Sequence, residues 1–187
     1  MTASPKQPVP YSHCAACGAP YSGGGDAWPR VCAACGGLAY RNPLPVAVAL
    51  LPVTDERGGG LVVITRTIEP RRGGTALPGG FVDFGESWQD AVVRELSEET
   101  GIEARAAEVR LADALSSPEH LLLFGLLPPR PAGLLPPSLP TDETDGWHLL
   151  REPADLTFPL HTLAVRKWFA GEYGSRGNGT AAGRAVN

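Results

Sequence analysis

The chain has 187 residues, and what it lacks narrows the field before what it contains is considered. No apolar run reaches the roughly 18 residues that a bilayer-crossing helix needs, so no membrane span is expected. No run of lysine or arginine occurs and the net charge is −4. That argues against general nucleic-acid binding through bulk charge. The opening residues, MTASPKQPVP, lack the apolar stretch of a secretory signal. A cytoplasmic location is therefore the expectation. Cysteine is scarce, with four in all. In a reducing compartment four thiols point to a metal rather than to disulfides.

Those four cysteines are paired. Cys14-Ala15-Ala16-Cys17-Gly18 and Cys32-Ala33-Ala34-Cys35-Gly36 are two CxxCG units separated by 14 residues. Each unit predicts a tight knuckle whose two thiolates face one ion, with a glycine supplying the positive φ needed after the second ligand. Four thiolates, Cys14, Cys17, Cys32 and Cys35, close a tetrahedron and leave no open position, so the Zn²⁺ expected here is structural. His13 adjoins a ligand but is not needed as one, and is expected to be exposed.

The length suits one domain of ordinary size with a small appendage. Residues 1–12 read as a loose tail, 13–40 as the cysteine module, 41–171 as the main domain and 172–187 as a disordered tail. Residues 44–53 read as one strand, Leu61 to Thr67 as a second, and 68–76 as a loop rich in arginine and glycine. Residues 102–116 read as one or two extended segments and 120–127 as a buried strand. Six prolines between 128 and 145 predict a long loop or lid beside the site. Trp147 to Leu150 reads as a short strand. Pro159 to Gly171 fits a helix with Leu160, Leu163, Ala164 and Trp168 on one face. Strands mixed with one central and one late helix give an α+β class.

The central helix is the most informative element. Trp88 to Thr100 contains no proline or glycine, Ser87 or Glu86 can cap its start, and Gly101 sits where a helix stops. At 3.6 residues per turn Trp88, Val92 and Leu96 form an apolar stripe. On the same wheel Glu95, Glu98 and Glu99 fall within a sector roughly 100° wide that overlaps this stripe. Asp90, Arg94 and Ser97 fall opposite, so Arg94 is expected to point away from the acids. Clustered carboxylates facing the core are costly unless something compensates. A bound Mg²⁺ or Mn²⁺ suits such hard oxygen ligands.

Upstream, Leu77-Pro78-Gly79-Gly80 ends a strand and frees backbone carbonyls. Gly80, five residues, Glu86, seven residues, then Arg94-Glu95-Leu96-Ser97-Glu98-Glu99-Thr100-Gly101-Ile102 resembles the Nudix box at every fixed position. The resemblance is to the Nudix hydrolase superfamily. It implies a mixed sheet packed between helices, an α/β/α sandwich. It also implies metal-dependent hydrolysis of a nucleoside diphosphate linked to another moiety, at the pyrophosphate, releasing a nucleoside monophosphate. By the same resemblance Glu95, Glu98 and Glu99 bind the metal, a carbonyl of Gly79 or Gly80 completes its coordination, and Glu86 with Arg94 forms a supporting ion pair. Family members often recruit a further acid from a later loop. Glu119, Asp142, Glu143 and Asp145 are the candidates, and Glu119 is chosen as the catalytic one.

The cysteine pairs, Tyr40-Arg41-Asn42-Pro43 and Thr67-Ile68-Glu69-Pro70-Arg71 resemble zinc-ribbon Nudix proteins related to ADP-ribose and FAD pyrophosphatases. A nucleotide-sugar or dinucleotide substrate is implied, with Arg66, Arg71 and Arg72 as basic groups to bind it. Relatives of this kind are often homodimers. Ser116-Ser117-Pro118-Glu119-His120 stands where zinc-ribbon NADH pyrophosphatases carry a different motif, and Thr75 stands where relatives usually have tryptophan. Hydrolysis of NADH or of an NAD cap is the alternative of the same class. A non-catalytic nucleotide sensor or nucleic-acid-binding regulator is the alternative of another class.

Overall fold

The computed structural model describes residues 11–21 and 27–174. The chain divides into two compact units, Met1–Pro43 and Leu44–Asn187. Most of the expected tails, residues 1–10 and 175–187, lies outside the described residues.

In the first unit β1 (Arg30–Val31) pairs antiparallel with β2 (Leu38–Ala39). The two CxxCG segments make the same turn. The Gly18 amide donates to the Cys14 carbonyl at 2.9 Å and the Gly36 amide to the Cys32 carbonyl at 2.8 Å. Both glycines have positive φ, 73° and 69°, as expected for the residue that reverses each knuckle. His13 is exposed.

The second unit runs β3 (Leu44–Leu50), β4 (Pro52–Thr54), β5 (Gly60–Arg66), β6 (Thr75–Ala76), β7 (Gly79–Phe81), α1 (Trp88–Thr100), β8 (Arg110–Ser116), β9 (His120–Leu126), β10 (Arg130–Pro131), β11 (Thr144–Leu150) and α2 (Pro159–Phe169). One sheet has the order β7-β3-β9-β8, and the other β10-β4-β5-β11 with β6 also paired to β5. β3 runs parallel to β9 and antiparallel to β7, so the first sheet is mixed.

Both sheets are buried on both faces. On β3, Val48 and Leu50 enter a core shared with Phe124, Ala164 and Val165, while Ala47 and Ala49, with Leu51 just beyond the strand, enter a second core with Ala91, Val92 and Leu96. The strands thus lie between α2 on one side and α1 on the other, the α/β/α arrangement expected. Strands covered on both faces read as continuous apolar runs, which is how 44–53 and 120–127 read. Residues 44–53 are nevertheless two strands, β3 and β4, which belong to different sheets.

α1 has the predicted limits. The Ser87 side chain accepts from the Asp90 amide, and Gly101, with φ 71°, closes the helix through its amide to the Ser97 carbonyl. α2 buries His161, Ala164 and Val165, whereas Leu163, expected on the inner face, is 40% exposed.

The expected C-terminal tail begins too early. Tyr173 is buried, and its hydroxyl donates to Asp113 at 2.9 Å beside Lys167, which reaches the same oxygen at 2.7 Å. The proline-rich segment is not a free lid either. β10 pairs parallel with β4, and Ala132 and Leu135 pack against the second core.

α1 lies close against the first sheet at Gly125 of β9. A Cβ there would stand 2.6 Å from a methyl of Val109 and 2.8 Å from one of Val92. Gly125→Ala is expected to push α1 outward and to destabilise the protein by about 1–3 kcal/mol, measured by urea denaturation. Unchanged stability would show that α1 has room to move.

Candidate active site

α1 carries its acids against the end of β7. The Gly79 amide donates to Oε2 of Glu99 at 2.8 Å. A Cβ on Gly80 would lie 2.4 Å from Oε1 of Glu95, so the missing side chain at residue 80 is what lets this carboxylate lie against the strand. Glu99 is buried at 4% exposure.

Burial raises the Glu99 carboxyl to about 8, with the charges of Glu95 and Glu143 adding and the Gly79 amide opposing. Burial also raises the Glu95 carboxyl, against the lowering effect of Arg94. Trp147 Nε1 is the only buried side-chain nitrogen or oxygen without a hydrogen bond among the described residues. Oε1 of Glu99, which has no hydrogen-bond partner there, is therefore open to the cleft that Glu99 lines.

Arg94 does not point away from the acids. Its guanidinium meets Glu86 at 2.7 Å, Glu95 at 2.7 Å and Glu98 at 3.0 Å, and donates to the Phe81 carbonyl at 3.0 Å. The wheel fixes where the arginine leaves the helix but not where its long flexible stem carries the charge. Glu98 also stands one turn on, in the i,i+4 position where such pairs form. The ion pair of Glu86 with Arg94 is present and ties the loop before α1 to the helix. The Glu86 carboxyl is held below its usual range by Arg94 and by the Asp83 amide.

These groups line a cleft of about 1030 Å³. Glu95, Glu98, Glu99, Gly79, Gly80, Arg94 and Arg66 all border it. So do Asp142 and Glu143, from the segment before β11. Glu119 does not: it is exposed at the end of the β8–β9 turn, where its carbonyl accepts from the Leu44 amide. Asp145 is likewise outside the lining. Of the later acids Glu143 is the one whose charge bears on both Glu95 and Glu99.

Arg66 stacks over the Phe158 ring at 5.4 Å and donates to the Pro70 carbonyl. Arg71 and Arg72 are exposed and outside the lining. Sequence reasoning missed Phe81, His120, Phe158 and His161, which also line the cleft. The available signal was a histidine on the apolar face of the late helix.

Among the described residues the four cysteines are the one group of three or more acid, thiol or imidazole residues whose ligand atoms all lie within 4.8 Å of one another. Sγ of Cys14 is 3.8 Å from that of Cys35, and Sγ of Cys17 is 3.6 Å from that of Cys32. Tetrahedral Zn–S bonds of about 2.3 Å require sulfur separations of about 3.8 Å, so the cluster fits zinc. Backbone amides of Cys17 and Ala16 hold the Cys14 thiol down to about 6, which favours the thiolate a metal needs. The glutamates of α1 form no comparably tight cage, because Arg94 engages Glu95 and Glu98. Their oxygen donors, the open oxygen of buried Glu99 and the uncompensated charge nevertheless fit a hard divalent cation.

A doubly covered mixed sheet with a glycine-bordered acidic helix at its edge defines the class. Residues 43–170, more than half of the chain, match the NUDIX domain, and the chain belongs to that family. It is similar to the ADP-ribose pyrophosphatase of Methanocaldococcus jannaschii, 41% identical over 81 residues covering 43% of this chain and 46% of that protein. It is also similar to the NAD-capped RNA hydrolase NudC of Salmonella typhi, 25% identical over 112 residues covering 60% of this chain and 42% of that one. The matched part thus spans less than half the length of either curated relative.

Among solved structures, a NUDIX hydrolase from Nitrosomonas europaea superposes with a TM-score of 0.65 at 22% identity, covering 87% of this chain and 92% of its own. A bifunctional NMN adenylyltransferase/ADP ribose pyrophosphatase from Francisella tularensis, complexed with AMP and a Mn ion, superposes with a TM-score of 0.58 at 21% identity, covering 72% and 43%. At these identities the likeness concerns the fold. No helix among the described residues is long and apolar enough to cross a membrane.

Two outcomes are expected. Purified protein should carry zinc at one ion per chain by elemental analysis, and Cys32→Ser should lose it; equal zinc content in the variant would remove the cluster as its site. In metal-free buffer, folded Glu99 keeps a proton that the unfolded chain releases near the ordinary glutamate value of 4.5. Its contribution to stability is therefore greatest below 4.5 and is lost as pH rises toward 8. Glu99→Gln should flatten that decline and melt above the wild type at pH 8 without metal. Identical melting profiles from pH 5 to 8 would contradict the burial of a titrating carboxyl.

Proposed function

We propose that this chain hydrolyses the pyrophosphate bond of a nucleoside diphosphate linked to a second moiety, ADP-ribose or FAD foremost, releasing a nucleoside monophosphate, with Mg²⁺ or Mn²⁺ as cofactor. The observation that carries this reading is the pair Glu95 and Glu99 at the cleft floor. Both carboxyls are destabilised as anions by burial, and the nearest guanidinium serves Glu86, Glu95 and Glu98 but makes no hydrogen bond to Glu99. A charge deficit of this kind is what a divalent cation relieves.

Glu95, Glu98 and Glu99 would hold the cation, with a carbonyl of Gly79 or Gly80 as a further donor. The bound ion would neutralise phosphate charge and acidify a coordinated water. The chain's own groups do the remaining work. The Gly79 amide fixes one oxygen of Glu99 and thereby aims the other into the cleft. Arg94 holds Glu95 and Glu98 in place and ties them to the preceding loop through Glu86. Arg66, a cation on the cleft wall close enough to bias Glu99 electrostatically, is the phosphate contact of this reading. Glu143, which lines the cleft and whose like charge bears on Glu95 and Glu99, takes the place of Glu119 as the fourth acid of this reading and would accept a proton from an attacking water.

The ADP-ribose pyrophosphatase relative supports the substrate class, and the NudC relatives make an NAD cap the same chemistry on a larger molecule. The decisive experiment is a panel of ADP-ribose, FAD, NADH, NAD-capped RNA, diadenosine polyphosphates and nucleoside triphosphates, with product identification. Metal-dependent release of AMP from a member of the first group is expected. Glu98→Gln and Glu99→Gln should each lower turnover by about a hundredfold or more with an unchanged circular-dichroism spectrum. Wild-type turnover in both would overturn the metal-site assignment.

A further inference from the structure

His161 stands on the inner face of α2, between the rings of Phe158 at 5.1 Å and Phe124 at 6.0 Å. It is only 6% exposed. Its Nδ1 accepts a hydrogen bond from the Leu77 amide at 3.2 Å. A ring nitrogen that accepts is unprotonated, so the proton of the neutral imidazole sits on Nε2. Burial and the nearby Arg66 charge hold the ring neutral, its ionisation pushed down to about 3.

That Nε2–H has no hydrogen-bond partner among the described residues. It is not a buried orphan either, since Trp147 Nε1 alone has that character there. Nε2 is therefore open to the cleft that His161 lines. A nearly buried histidine that spends one nitrogen on the Leu77 amide keeps a donor in fixed orientation on the other.

What the donor can receive follows from its surroundings. Leu77, Leu160 and Phe158 border this end of the cleft. An anionic oxygen would lose its hydration here with no charge on the imidazole to meet it, whereas a neutral oxygen costs far less to desolvate. Arg66 borders the same cleft as Glu99 and His161 and bears electrostatically on both. With phosphates at the acids and Arg66, as the function proposed above requires, the next oxygens of the substrate are those of a sugar.

We propose that His161, through Nε2–H, is a substrate-binding residue that reads a ribose hydroxyl flanking the pyrophosphate. This rests on the proposed pyrophosphatase reading. The sugar comes from the nucleoside or from the moiety linked to it, and two analogues separate these sources. One is ADP carrying an ethyl ester on its outer phosphate, which lacks the second sugar. The other is ADP-ribose whose adenosine lacks both ribose hydroxyls.

The test variant is His161→Asn. Its side-chain oxygen can still accept from the Leu77 amide, but its amide is too short to reach the Nε2 position. On ADP-ribose it should lose about tenfold in kcat/KM, the size of one net hydrogen bond. On one of the two analogues that loss should vanish, and the analogue names the sugar. An equal loss on both analogues, or no loss on ADP-ribose, overturns the proposal.

A second readout is free of turnover. In zinc-loaded protein with ¹⁵N-labelled histidine and without added Mg²⁺ or Mn²⁺, saturating ADP-ribose should shift the Nε2–H resonance of His161, and an unmoved resonance overturns the proposal. If the wild type hydrolyses none of these compounds, the pyrophosphatase reading fails, and this resonance alone decides the fate of the binding role.

Discussion

The contact between the Glu99 carboxylate and the Gly79 amide holds the site together. It joins the last turn of α1 to the strand that borders the cleft, and it does so through a group that burial penalises. For this contact to form, α1 must lie almost against the sheet. Three features allow that: Ala47 and Ala49 on the α1 side of β3, the bare Cα of Gly125 on β9, and the absent side chain of Gly80 opposite Glu95. Small residues on the sheet and acids on the helix are thus two halves of one arrangement. Enlarging the first would displace the second.

Charge within the helix is shared unequally. Arg94 meets Glu86, Glu95 and Glu98, which are the outer acids, and leaves Glu99 with a single backbone donor. One cation distributed over three carboxylates stabilises the loop and the helix face. It cannot also neutralise the innermost acid. The arrangement tolerates that deficit because one neutral amide bond and protonation together make burial of Glu99 bearable. A divalent ion would take the place of that proton.

Much of this was readable from the chain. The limits of α1 follow from Ser87 and Gly101, and the knuckle turns follow from the CxxCG spacing, because caps and positive-φ glycines are local devices. The α+β class followed from the mix of strands and helices, and the layered α/β/α arrangement was implied by the Nudix resemblance. What failed was non-local. Arg94 was misjudged because a helical wheel describes Cα directions and not the span of a four-bond side chain. Glu119, chosen from four later acids, lies in the β8–β9 turn outside the cleft lining, whereas Glu143 reaches the cleft because Thr144 pairs with Arg66 across β11 and β5. Tyr173 looked like tail by composition, yet a single aromatic with a carboxylate partner at Asp113 was enough to extend the fold.

Arg66 bears on both Glu99 and His161. Its positive charge favours the anionic form of Glu99 and disfavours the cationic form of His161. The same guanidinium therefore biases one group toward holding a cation and the other toward offering a neutral donor. Its own position is fixed by the Phe158 ring and the Pro70 carbonyl rather than by an acid of the site. It therefore retains its charge for whatever enters. Phosphates flanked by an uncharged sugar would present a partner to each of these groups.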